Sequence, residues 1–171
     1  MNAVRVRHFT GILMGAIAAS LAMPAEAQTG KPPPAASAEV PLSTKQLSDI
    51  YSGKTWLWPD GAAYFAPGGR FIAWAGTGKK ESFATGSWGT PGNGRLCFRA
   101  VWVSRGGAGG SESCFAHVSK SGFLFQRKLP AGEWYVFKYP TPQPDDEFRK
   151  LVPGDKAGAE AERIREIFRR G

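Results

Sequence analysis

The chain of 171 residues is long enough for one domain of ordinary size, and its composition excludes wholesale disorder. Hydrophobic residues make up 42% and charged residues 21%, which is the balance of a folded protein. The 22 glycines, together with six Trp and eleven Phe, favour short strands and tight turns, and the net charge of +8 favours an acidic partner.

Residues 1–27 have the order of a secretory signal peptide. Arg5 and Arg7 form a basic start, residues 11–23 are apolar, and Ala25 to Ala27 form a small-x-small cleavage site. The apolar run is about 13 residues, and a membrane-spanning helix needs roughly 20. We therefore predict cleavage after Ala27 and a periplasmic or secreted protein that keeps no transmembrane segment.

The two ends of the remaining chain differ from its middle. Residues 28–41 are rich in proline and alanine and are predicted to be a linker. Residues 156–171 are predicted to form a C-terminal helix. Its apolar face would comprise Ala157, Ala161, Ile164 and Phe168.

The middle, residues 42–155, is predicted to be a single β-rich domain. It opens with a capping box from Ser43 to Gln46, which indicates a short helix over roughly 43–51. After Gly53 the hydrophobic period changes to two, which is typical of strands. The predicted strands are 54–58, 61–66, 70–75, 81–88, 95–103, 112–118, 122–128 and 133–139.

The links between these strands are short and hold Pro, Gly and Asn, so they leave no room for crossover helices. The fold class is therefore predicted to be mainly β. We expect a small antiparallel meander that closes into a lipocalin-like barrel of about eight strands, with a short N-terminal helix and a C-terminal helix.

Cys97 and Cys114 are predicted to form a disulfide, because two cysteines in an exported chain most simply pair with each other. The glycine-rich stretch from Arg105 to Gly110 is expected to be a flexible connection between the two strands that carry them. The bond would then fix the register of those strands.

The sequence offers little for catalysis. His117 is the one histidine after the signal peptide, and no nucleophile motif accompanies it. Asp145, Asp146 and Glu147 are acidic enough to hold a hard cation, but a solvated linker is the preferred interpretation. We therefore predict no catalytic residue, no metal site and no cofactor, and a protein that is not an enzyme.

Aromatic residues are unusually dense, and two interpretations stay open. They fill the core of the barrel, or some of them contact a ligand, since sugar rings and apolar molecules pack on such side chains. The candidate ligand-binding residues are Trp56, Trp58, Tyr64, Trp74, Trp88, His117 and Tyr135.

Several segments in series resemble a bacterial family known as domain of unknown function 995. They include residues 47–58, Gly86-Ser87-Trp88, 94–98, 113–117 and 148–155. The resemblance spans about 43 to 155. It implies an exported alphaproteobacterial protein with one compact domain, and it implies no activity, cofactor or catalytic residue.

Three hypotheses about function remain open at this point. The first is a periplasmic barrel that binds an envelope component, with an anionic envelope glycan, a lipid surface or a periplasmic protein as partner and no nucleic acid. The second is an enzyme acting on envelope glycan. The third is a structural accessory protein with no small ligand. An open interior lined by aromatic residues would favour the first.

Overall fold

A computed structural model describes residues 39–170 of the chain. The predicted signal peptide and the predicted linker as far as residue 38 lie outside the described residues. Within the described part, no helix has the length and apolar character needed to cross a membrane.

The described residues form ten strands and two α-helices, joined by tight turns and two short 3₁₀ turns. The helices are α1 (Thr44–Tyr51) and α2 (Gly158–Arg170). The strands are β1 (Val40–Pro41), β2 (Lys54–Trp58), β3 (Gly61–Phe65), β4 (Arg70–Ala75), β5 (Ser82–Gly92), β6 (Arg95–Ser104), β7 (Gly107–Lys120), β8 (Phe123–Lys128), β9 (Tyr135–Lys138) and β10 (Leu151–Pro153).

All strand pairs are antiparallel, and the sheet follows the order β10-β2-β3-β4-β5-β6-β7-β8-β9, with β1 added on β7. The sheet curls into a half-barrel, which confirms the predicted mainly β, barrel-like fold class. The eight predicted strands are β2 to β9. The two strands that were not predicted, β1 and β10, are two and three residues long.

The predicted flexible connection from Arg105 to Gly110 is wrong. Strand β7 begins at Gly107, and its ladder with β6 is continuous from Ser104, opposite Gly107, down to Arg95, opposite Ala116. Glycine has low strand propensity, which is why the stretch looked like a loop. Here it pairs with Val101, Trp102 and Val103 of β6, whose strand propensity is high.

Helix α1 begins with the predicted capping box and packs against β2, β5 and β6. The Ser43 hydroxyl accepts a hydrogen bond from the Gln46 amide, and the Gln46 side chain accepts one from the Ser43 amide. Its buried residues Leu47 and Tyr51 join the inner core. The helix therefore adds apolar side chains to the core and brings one polar group, the Tyr51 hydroxyl, next to His117.

Helix α2 packs on the outer face of the sheet, against β4 and β5. The predicted apolar face is confirmed, since Ala157, Ala161 and Ile164 are buried. Phe83 of β5 is packed with Ala161 and Ile164 in a second apolar cluster. The sheet thus has an inner face that surrounds the barrel interior and an outer face that α2 partly covers.

Candidate ligand-binding cavity

A single cross-strand row on the inner face has three small side chains with a large one at each end. Trp56 lies opposite Ala63, Ala63 opposite Ala73, Ala73 opposite Ala84, and Ala84 opposite Trp102. Three buried alanines therefore lie between two tryptophans in this row, and of the three Ala63 borders the open space described next. Small residues on the inner face of a barrel leave space that larger side chains would fill.

Beside Trp56, Ala63 and Trp102 of this row lies a cavity of about 360 Å³. Its walls are mainly aromatic, and a few polar residues lie at its edge. The lining residues are Trp56, Trp58, Ala63, Phe65, Phe71, Phe98, Trp102, Ser113, Phe115, Lys128, Tyr135 and Glu147. Among themselves the rings pack closely, with Phe71 stacked on Phe98 at a centroid distance of 4.6 Å and Trp56 edge-on to Phe115 at 5.3 Å.

Glycine at position 61 sets the position of one wall. A Cβ added there would overlap the indole of Trp58, its cross-strand neighbour. The Trp58 ring therefore lies directly over the Gly61 backbone, and the tight turn between β2 and β3 folds the indole inward. No larger residue at position 61 leaves room for this arrangement.

The polar edge of the cavity also orients its walls. The Trp56 indole nitrogen donates a hydrogen bond of 2.8 Å to Glu147 Oε1, and Lys150 Nζ lies 2.6 Å from Glu147 Oε2. Glu147 thus holds the Trp56 ring in one orientation while Lys150 offsets its charge. Lys128 lies opposite Phe115 and is solvent-exposed.

Behind the cavity wall, four side chains form a hydrogen-bonded network. Tyr135 donates to Gln126 Oε1, and Gln126 Nε2 donates to the Tyr51 hydroxyl at 2.7 Å. The Tyr51 hydroxyl lies 2.8 Å from His117 Nε2, and His117 Nδ1 lies 3.2 Å from the carbonyl oxygen of Gly94. The network joins β9, β8, α1 and β7 to the turn before β6.

The direction of these hydrogen bonds is fixed at the end of the network, where His117 meets the Gly94 carbonyl. The Gly94 carbonyl can only accept, so His117 Nδ1 carries the proton and Nε2 presents a lone pair. Tyr51 then donates to His117 Nε2 and accepts from Gln126, which accepts from Tyr135. His117, Tyr51 and Gln126 each donate and accept, Tyr135 donates at the end of the chain, and Gln126 Nε2 also lies 2.7 Å from His117 Nε2, so the bonds run in one direction.

Burial keeps the members of this network uncharged. Desolvation lowers the pKa of His117 to about 4, although its hydrogen bond to the Gly94 backbone acts in the opposite sense. Desolvation and the nearby Glu147 carboxylate raise the pKa of Tyr135 to about 12. Desolvation and then the Tyr135 phenol raise the pKa of Tyr51 well above its ordinary value. At neutral pH the network therefore holds no ionised group.

The predicted binding residues divide between the two faces of the sheet. Trp56, Trp58 and Tyr135 line the cavity. His117 is fully buried behind it, and Trp88 packs edge-on against Phe65 and donates a hydrogen bond to the Ala66 carbonyl. Trp74 and Tyr64 lie on the outer face, where Trp74 packs in the apolar cluster under α2.

Other residues of the site were not predicted. Phe98, Phe115 and Lys128 line the cavity, and Gln126 is a fully buried member of the network. Strand alternation could have indicated Phe98 and Phe115, since both have the inward parity of their strands. Nothing within β8 indicates that Gln126 meets His117, because that contact depends on the register between strands.

The predicted solvated linker at Asp145 to Glu147 is wrong for Asp146 and Glu147, whereas Asp145 is exposed. Asp146 is only 3% exposed, and its carboxylate accepts hydrogen bonds from the backbone amides of Tyr139 and Gln143. Glu147 begins a 3₁₀ turn (Glu147–Lys150) and binds Trp56. These two carboxylates therefore have structural partners within the chain.

The predicted cysteine pair is confirmed. Cys97 and Cys114 are directly opposite each other in the β6–β7 ladder, with Sγ atoms 2.13 Å apart. Side chains alternate between the two faces along a strand, and Leu96 and Phe98, on either side of Cys97, point inward. Cys97 and its partner Cys114 therefore point outward. The disulfide therefore lies on the face of the sheet away from the cavity.

The fold and the cavity define a β half-barrel with an aromatic interior. The chain belongs to the family described as Protein of unknown function (DUF995), whose model matches residues 16–157. No curated protein and no solved structure is significantly similar to the chain.

Proposed function

We propose that this protein is a non-enzymatic binding module that takes a small apolar ligand into the aromatic cavity of its half-barrel. One observation carries the proposal. The sheet leaves a cavity of about 360 Å³ that is lined mainly by aromatic side chains, with Trp56, Trp102 and the small residue Ala63 among them. Apolar cavities of a few hundred Å³ with a few polar groups at one side are the usual form of small-molecule sites.

The alternatives gain less support from this geometry. Glycan hydrolysis generally needs two carboxyl groups that face each other across a cleft, and Glu147 is the one carboxylate among the residues that line the cavity. Its two oxygens are engaged by Trp56 and Lys150. A purely structural accessory protein would not need the open space that lies beside Trp56 and Trp102.

Binding is tested by isothermal titration calorimetry with 1-naphthol, a neutral apolar probe of about eleven non-hydrogen atoms. We expect saturable 1:1 binding with a Kd on the order of 0.1 mM, which corresponds to roughly −0.5 kcal/mol per atom. Ser113→Leu places a larger side chain in the cavity and should abolish binding. The matched control is Ser87→Leu, which adds the same side chain at an exposed position of β5.

Two outcomes contradict the proposal. The first is no heat of binding with the wild-type protein. The second is binding that Ser113→Leu and Ser87→Leu leave equally intact, because the probe then binds outside the cavity. Circular dichroism of both variants establishes that each retains the sheet.

We also propose that the module works outside the cytoplasm, with its mature chain beginning at Gln28. The support is the order of basic, apolar and small residues in 1–27. Mass spectrometry of protein from a periplasmic fraction should find Gln28 at the N-terminus. A full-length chain retained in the cytoplasm would refute export and leave the binding proposal intact.

A further inference from the structure

The geometry points to a more specific ligand class for this cavity, on the assumption that the proposed binding function holds. We infer that the ligand is a small single-chain amphiphile with an acidic head group. Its apolar body of about ten carbons lies between the tryptophans, and its acidic head lies at Lys128.

The size of the ligand follows from the cavity volume. One water-sized group occupies about 30 Å³ in a liquid, so 360 Å³ corresponds to about twelve non-hydrogen atoms. The walls Trp56, Trp102 and Phe98 offer such a body no polar partner except at one edge. A ten-carbon carboxylate has about this size.

The negative charge of the head group is inferred from the charged side chains at the edge of the cavity. Lys128 occupies an inward register position opposite Phe115, and within residues 39–170 its ammonium group has no hydrogen bond and no ion pair. Glu147, the carboxylate at the same edge, is already paired with Lys150. The uncompensated charge is therefore positive.

The remaining basic residues do not compete for this role. Lys128 is the one cationic residue among those that line the cavity. Several arginines are engaged in ion pairs on the outer surface. These pairs are Arg99 with Glu112, Arg163 with Glu81 and Glu160, Arg165 with Glu162, and Arg169 with Glu166.

A neutral partner for the head group is also within the cavity. Ser113 lies two residues before Phe115 on β7 and has the same inward parity. Its hydroxyl can donate to an acidic oxygen that Lys128 holds. A carboxylate accepts from both groups, whereas an alcohol gains no charge-assisted bond from Lys128.

Decanoate and 1-decanol are the two probes that test the inference, because they share the chain and differ in charge. Calorimetry with the wild-type protein should show tighter binding of decanoate. Raising the salt from about 0.02 to about 0.3 M should weaken decanoate binding and leave 1-decanol binding unchanged, since salt screens exposed charges.

Lys128→Gln should weaken decanoate binding by about threefold, the range of an exposed ion pair, and should not change 1-decanol binding. The matched control is Lys45→Gln on α1, which removes the same charge at a position outside the cavity. It should alter neither affinity.

The outcomes separate this inference from the proposed function. If decanol and decanoate bind equally, or if Lys128→Gln and Lys45→Gln behave alike, the acidic head group is wrong and the apolar site stands. If neither decanol, decanoate nor 1-naphthol binds, the proposed function itself fails. The salt dependence of the wild-type protein decides the question even where a variant does not fold.

Discussion

At His117, two physical effects act on the ring in opposite directions, and their balance decides its protonation. Removal from water disfavours the imidazolium, while the hydrogen bond from Nδ1 to the Gly94 carbonyl favours it. Desolvation is the larger effect, so the ring is neutral and Nε2 is free to accept from Tyr51. The neutral ring is therefore a condition for the whole network behind the cavity.

This balance predicts a pH dependence of stability. The folded-state pKa of about 4 lies below the ordinary value of 6.5, so between these values the unfolded chain binds more protons than the folded one. The free energy of unfolding should fall as the pH falls from 6.5 to 4, by about 3 kcal/mol, and the contribution of His117 should be constant above that window.

Urea unfolding of wild-type protein and His117→Gln at a series of pH values checks this expectation. The variant lacks the titrating ring, so the difference in stability between the two proteins should shrink steadily as the pH is lowered. A difference that does not vary with pH would contradict the prediction. Nuclear magnetic resonance titration of the His117 ring provides the same test if the variant does not fold.

For a single residue, the sequence predicts which face of a strand the side chain lies on, but it does not predict which distant side chain it contacts. The alternation of Phe115 and His117 correctly predicted a shared face. Tyr51 lies 66 residues before His117, and its hydroxyl reaches the ring only because α1 packs on the inner core. No local pattern encodes that contact.

At the scale of elements, the close approach of β5 and β6 shows why one glycine is required in the middle of a strand. A Cβ at Gly86 would overlap the carbonyl oxygen of Arg99, which belongs to the opposing strand backbone. Neither strand backbone can move away without breaking hydrogen bonds between β5 and β6. The pattern Gly86-Ser87-Trp88 was predicted to be part of a strand, but its sequence does not reveal which backbone it meets.

Gly86→Ala should therefore destabilise the protein by about 1–3 kcal/mol or more, the cost of inserting an atom into a packed site. Gly89 lies on the same strand and has open space where its Cβ would be, so Gly89→Ala should change stability little. Thermal unfolding of the two variants measures the contrast. Equal melting temperatures would show that β5 and β6 lie further apart than described.

Across the whole molecule, the half-barrel ends without pairing its two terminal strands. The chain between β9 and β10 contains Pro140, Pro142 and Pro144, and proline has no amide hydrogen for a ladder bond. Instead the 3₁₀ turn that follows contacts both β9 and β2, and Phe148 packs edge-on against Phe137 at 5.8 Å. Covering an edge with a loop is an alternative to closing a barrel.

The alternation of hydrophobic residues could not predict whether the sheet forms a closed barrel or a half-barrel. The strands were predicted within a few residues, because their patterns are local. Closure depends on where residues 140–150 pack, and this is decided by contacts of Phe148 and Glu147 with β9 and β2. The cavity has the same origin, since its lining residues come from several strands and meet only when those strands are in register.

The disulfide is the covalent link of the largest hairpin in this sheet, and its removal tests how much that hairpin matters to the whole fold. Cys97 and Cys114 are 17 positions apart, and closing such a loop stabilises by roughly 3 kcal/mol in the chain-entropy model. Because the β6–β7 ladder is continuous on both sides of the bond, its register does not depend on the disulfide. The disulfide therefore stabilises the protein mainly by lowering the entropy of the unfolded chain.

Replacing both cysteines, Cys97→Ser with Cys114→Ser, should lower the free energy of unfolding by about 2–5 kcal/mol while the circular dichroism of the folded protein stays the same. Binding of 1-naphthol should also persist, because the bond lies on the face away from the cavity. Alkylation of the native protein without reductant should label neither cysteine. Two labelled thiols, or a variant that loses the sheet together with its stability, would contradict this account of the hairpin.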